Sequence, residues 1–178
     1  MAFVTSSMEG VNFAVAYTFN ETTTPETPGP NPSPGTVVWG SDGSAWMFVK
    51  LAASQTIAAG DFVYVSSTDG SWNVTLLSNS AKALLGYQVG VAGAAATSST
   101  TSYLYIWMQI KGYNASTNCL SGSLANAALH TTGTAGRVDD TAAGGTSAAV
   151  AGVVQTGTAS SSNVAAVMLN FPTIGAAD

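Results

Sequence analysis

Charge is what this sequence has least of. Thirteen of its 178 residues are charged: Lys50, Lys82, Lys111 and Arg137 against nine carboxylates, for a net charge of −5. A soluble domain ordinarily devotes about a quarter of its residues to charge. Four scattered cations make no basic cluster, so nucleic acid is not an expected partner. Nor is a membrane held by electrostatics. No apolar run approaches the ~20 residues of a transmembrane helix, and Met1–Ser7 lacks the basic start and apolar block of a signal peptide. Cysteine is nearly absent too. Cys119 stands alone, which excludes an internal disulfide framework and reads as a small buried hydrophobe.

The catalytic inventory is equally thin. His130 is the single histidine. Asp139 and Asp140 follow it, but no Gly-x-Ser-x-Gly elbow exists to complete a nucleophile–base–acid set. Cys119 with His130 supplies half of a thiol site and nothing supplies the rest. Zinc needs three or four soft ligands, more than one Cys and one His provide. Asp139-Asp140, followed by Thr141 and Gly144-Gly145, places paired carboxylates on a loop without the alternating acidic spacing of a calcium loop. Gly86-Tyr-Gln-Val-Gly90 sits in strand-like sequence and marks a bulge or close packing, not a phosphate cradle. The expectation is a protein that is not an enzyme and holds no cofactor or metal.

In place of charge stand Ala, Gly, Ser and Thr, with β-branched and aromatic residues; 46% of the chain is hydrophobic. Disordered chains combine low hydrophobicity with high net charge, so this is a packed chain with a neutral surface of small residues. Such a surface risks edge-to-edge pairing unless something covers it. Either partner subunits cover much of it, which is the expectation, or its Ser and Thr hydroxyls keep a neutral surface soluble.

The chain divides into three regions. Residues 1–35 open with a period-2 pattern: Val11, Phe13, Val15, Tyr17 and Phe19 alternate with Asn12, Ala14, Ala16 and Thr18. This predicts a strand over Val11–Phe19, apolar on one face and small on the other. Pro25, Pro28, Pro30, Pro32 and Pro34 then make an extended loop, a linker or an arm lying across a neighbour. The Val11–Phe19 strand and the proline loop are the candidate subunit contacts. Residues 36–112 form a first β unit. Val37–Trp39 and Ala45–Leu51 flank a Gly40–Gly43 turn, and Phe62–Val65 and Trp72–Leu77 flank a second. Leu84–Val91 precedes Tyr103–Lys111, which is apolar on both faces and therefore central. Residues 113–178 echo that unit at a spacing of about 60–66 positions, as an internal repeat does. Leu120–Asn126 echoes Ile57–Tyr64, Thr134–Asp139 echoes the Asp69–Thr75 turn and strand, Ala149–Thr158 echoes Ala83–Ala92, and Val164–Phe171 echoes Tyr103–Ile110. Helix signals are confined to Ser78–Leu85 and Leu124–His130. The predicted fold is all-β: a compact sandwich or barrel of roughly ten strands, as two related units or one continuous domain.

Four segments carry a resemblance: Ala59-Gly-Asp-Phe-Val-Tyr-Val, Gly70-Ser-Trp-Asn-Val, Leu85-Gly-Tyr-Gln-Val-Gly-Val-Ala and Tyr105-Ile-Trp-Met-Gln-Ile-Lys-Gly. This run resembles the capsid decoration, or structural cement, proteins of tailed bacteriophages. The likeness covers about residues 50–112, with a fainter second pass to residue 175. It implies a protein on the outer capsid surface of a virion, made in the host cytoplasm. It also implies bridging of major capsid subunits and a homo-oligomer, with a trimer favoured. The alternative is a glycan-binding or adhesion module of a virion fibre, with Trp39, Trp46, Trp72 and Trp107 lining a sugar face. Core packing is the commoner fate of aromatic residues in strands.

Overall fold

The computed structural model describes residues 11–19, 32–66, 71–99 and 103–177. Its strands are β1 (Tyr17–Phe19), β2 (Val37–Trp39), β3 (Ala45–Leu51), β4 (Thr56–Ile57), β5 (Phe62–Val65), β6 (Asn73–Leu76) and β7 (Val89–Ala92). They continue with β8 (Ala96–Thr97), β9 (Tyr103–Asn118), β10 (His130–Thr131), β11 (Val138–Asp139), β12 (Ala148–Gln155) and β13 (Val164–Ala177). The fold is all-β. Its one helical element among the described residues is a 3₁₀ turn at Asn79–Ala83. Leu124–His130 makes no helix; Gly, Ser and Thr around it favour turns over a helical run.

Eleven strands join one sheet, and β4 and β8 form a separate ribbon. The sheet closes on itself. Antiparallel pairs link β3 to β9, β9 to β7, β7 to β5 and β5 to β6, and a parallel pair returns from β6 to β3. This is a five-stranded ring with no free edge between its members. Alternation then sorts the side chains. Met47, Val49 and Leu51 of β3, Val63 and Val65 of β5, and Ile106, Met108 and Ile110 of β9 form one buried cluster inside the ring.

The same strand order recurs downstream. Antiparallel pairs link β9 to β13, β13 to β12, β12 to β10 and β10 to β11. A parallel bridge from Val138 of β11 to Cys119, just beyond β9, completes the circuit. Hydrogen bonds repeat with the order. Ala52 N donates to Val74 O at 2.9 Å in the first ring, and Leu120 N donates to Val138 O at 2.9 Å in the second. Likewise Ser98 N donates to Gln55 O, and Ala159 N to Ser123 O, each at 2.8 Å. By strand order β10 is the counterpart of β5, so Leu120–Asn126, aligned by sequence with Ile57–Tyr64, occupies a turn instead. Strand β9 serves both rings, and Gly112–Tyr113 lies inside it, not between units. Phe62 and Tyr64, facing outward from the first ring, pack in one cluster with Cys119, Val138 and Val167. The two rings therefore share a core as well as a strand.

The N-terminal segment differs from its expected form. Only Tyr17–Phe19 is strand, and residues 13 and 14 make a turn. The reason lies in what it covers. Phe48, Tyr105 and Trp107 project from the outer face of β3 and β9, and Val11, Phe13 and Tyr17 close over them. Phe13 stacks on Trp46 at 4.6 Å and meets Trp107 edge-on at 5.6 Å. Gly93 permits the approach, since a Cβ there would stand 2.4 Å from Phe13 O. Burying these rings outweighs the period-2 preference for a straight strand.

Candidate binding surface

The residues first marked as subunit contacts divide sharply. Val11, Phe13 and Tyr17 are half-buried on their own chain's aromatic cluster, and Val15 is exposed. Phe19 pairs with Tyr103 through β1–β9. Pro32 and Pro34 are half-buried where the chain turns into β2. Pro25, Pro28 and Pro30 lie outside the described residues.

Cys119, His130 and Asp139 come together in the second ring. His130 is directly opposite Asp139 across β10–β11, and Cys119 bridges to Val138 beside it. Cys119 is fully buried. Burial pushes its thiol up, and the Asp139 carboxylate adds to the rise. A thiol held protonated and out of solvent is a poor nucleophile and a poor metal ligand. Burial also raises the Asp139 carboxyl, with Asp140 beside it as the next cause. Among the described residues no group of three or more His, Cys, Asp or Glu side chains is placed to hold a metal ion.

The tryptophans do not share a face. Trp107 is buried, Trp46 is stacked under Phe13, and Trp72 packs beside the first ring's core. Trp39 alone is well exposed. Its indole meets Phe171 edge-on, with ring centroids 6.4 Å apart and planes at 69°. Stacking on a sugar needs coplanar, accessible rings, and this pair has neither a common plane nor a second exposed tryptophan beside it.

What Trp39 does belong to is a stripe of exposed apolar side chains that spacing in the sequence did not single out. Lys111 Nζ lies 4.8 Å from the Trp39 ring centroid and 5.8 Å from that of Phe171. Tyr113 stands two residues along β9 from Lys111, opposite Met168 of β13, which is opposite Val154 of β12. Val37 precedes Trp39 by two on β2 and shares its face. Val37, Trp39, Tyr113, Val154, Met168 and Phe171 are each 40–60% exposed.

Local structure builds this stripe deliberately. Where β9 passes from one ring to the other, the buried Gln109 amide donates to Lys111 O and Tyr113 O, both at 3.1 Å. Asn114 Nδ2 donates to Gln109 Oε1 at 2.8 Å, so the amide is held from both ends. Gly112 between them adopts φ +97°, and a Cβ there would lie 2.9 Å from Ser44 Cα. These contacts hold the Lys111 and Tyr113 backbone in place. At the far side a bulge breaks the β12–β13 register between Ala151 and Val153. Gly152 takes φ +74° there, opposite Phe171 at φ +49°. Bulges re-aim side chains, and this one turns Phe171 out toward Trp39. The signals were in the sequence, as Gly112 after a long apolar strand and Gly152 inside another. Which face they served was not.

No protein-family model matches the chain, and no curated protein matches it.

Proposed function

We propose that this protein is a non-enzymatic structural subunit that binds the outer surface of a phage capsid and bridges major capsid subunits. The observation that carries the reading is the conjunction of the resembling motif run with the fold. Its four segments lead into or form β5, β6, β7 and β9, successive members of one closed ring. The likeness therefore falls on four of the ring's five strands, all but β3. The charge-poor composition, with thirteen charged residues in 178, supports it. A surface so poor in charge suits a protein that works covered by partners. Stabilisation would arise from apolar area buried between subunits, ~25 cal/mol per Å² before association costs, multiplied over many copies.

The test is direct. Purified protein is incubated with undecorated heads, which are then heated. Cosedimentation with the heads and a higher rupture temperature are expected. Absence of both would reject the reading.

A further inference from the structure

We infer that the stripe of Val37, Trp39, Phe171, Tyr113, Met168 and Val154 is a self-association face, joining two copies of this chain about a two-fold axis near Tyr113. The inference deepens the subunit-binding reading and rests on it for its consequence at the capsid, but the pairing itself is a property of the free protein.

Area is the first argument. The three aromatic residues and the three aliphatic ones, each 40–60% exposed, leave roughly 450 Å² of apolar surface open. That is the size of the largest apolar patch on a typical monomer, ~300–600 Å², which is often a functional surface. A standard interface buries about 800 Å² per partner, a little over half of it apolar. The stripe therefore matches the apolar share of one complete side. Outside it, among the described residues, exposed Val15, Leu85 and Leu124 lie outside the strands, so none is on a stripe strand.

Chemistry along the stripe is the second argument. Across the sheet Trp39 stands at one end, on β2, and Met168 and Val154 at the other, on β13 and β12, with Tyr113 of β9 between them, while Phe171 of β13 meets the Trp39 ring. A two-fold axis at the centre lays the aromatic end of each copy on the Met–Val end of its partner. An isologous face must be self-complementary in this way, and aromatic rings against a thioether are a favourable match. Charge agrees. The chain carries −5 overall, so two copies repel least where they meet through a face poor in carboxylates. Among the described residues the charge set on the stripe is the cationic Lys111, already seated over two rings. In the pair those rings lie in the buried seam, where a desolvated cation–π contact strengthens.

The experiment measures mass in solution by light scattering and sedimentation for four proteins without any capsid: wild type, Trp39→Ser, the Tyr113→Glu/Met168→Glu double variant, and Leu85→Glu. All four changes are at exposed positions, and unchanged far-UV circular dichroism verifies folding. The wild type and Leu85→Glu are expected as dimers at tens of micromolar. Trp39→Ser is expected to raise the dimer dissociation constant at least tenfold, and the double variant to be monomeric. A monomeric or trimeric wild type overturns the inference, as does a double variant that stays dimeric. The capsid reading fails separately. A wild-type dimer that ignores undecorated heads upholds the pairing and sinks the capsid role, whereas a wild-type monomer that binds heads does the reverse.

Discussion

Phe171 stands at φ +49°, a conformation that costs a non-glycine residue about 1–2 kcal/mol. The surrounding bulge holds it there, and the outcome is a ring turned to solvent beside Trp39. Asp139 is a second residue held off its ordinary state. Burial chiefly, then the neighbouring Asp140, raises its carboxyl above the usual 3.8. The folded protein therefore holds this proton more tightly than the unfolded chain. Stability from this group is greatest below pH ~4 and declines as pH rises from there through the raised folded value. Asp139→Asn removes that contribution. Denaturant unfolding measured at a series of pH values should show a shallower decline above pH 4 in the variant than in the wild type. Equal slopes would show that the carboxyl does not titrate as the geometry requires.

Among the elements, the N-terminal segment carries a role its pattern did not announce. Alternation at Val11, Phe13, Val15, Tyr17 and Phe19 pointed to a strand available to a neighbour. The segment instead turns at residues 13–14 and closes the aromatic cluster of β3 and β9. Period-2 spacing reports which side chains share a face, not whether that face meets its own chain or another. Phe13→Ala is expected to destabilise the fold by about 2 kcal/mol, from a half-buried ring stacked on Trp46 and edge-on to Trp107. It should also shift tryptophan emission to the red as Trp46 loses its cover. A variant as stable as wild type would mean that the segment does not seal the cluster.

Over the whole molecule, β9 is the spine. It pairs with β1, β3, β7 and β13 and belongs to both rings. With a shared strand and a shared core, neither ring has an independent boundary along which to separate. Unfolding should therefore be one transition. The four tryptophans, Trp39, Trp46, Trp72 and Trp107, all fall before Gly112, so their fluorescence follows the first ring, while far-UV circular dichroism follows both. Coincident denaturation midpoints from the two probes are expected. Separated midpoints would mean that the rings fold as distinct units.

Much of this was legible without coordinates, because it rests on local physics. The β class, the hairpin turn at Gly40–Gly43, the antiparallel pairing of β5 with β6, and the two-sided burial of Tyr105–Ile110 all follow from alternation and turn residues. The shortage of charge is read from composition directly. The continuation of β9 through Gly112 to Asn118 was not legible, since a glycine after an apolar strand reads as its end. Nor were ring closure by the β3–β6 pair, the path of the N-terminal segment over Trp46 and Trp107, and the meeting of Trp39, Lys111 and Phe171. These join residues up to 132 positions apart, counted from Trp39 to Phe171. Sequence alone determined which side chains alternate and where the chain turns, because neighbours along the backbone impose both. Only the tertiary structure decided which apolar side chains were left outside, because that depends on how distant strands close against one another.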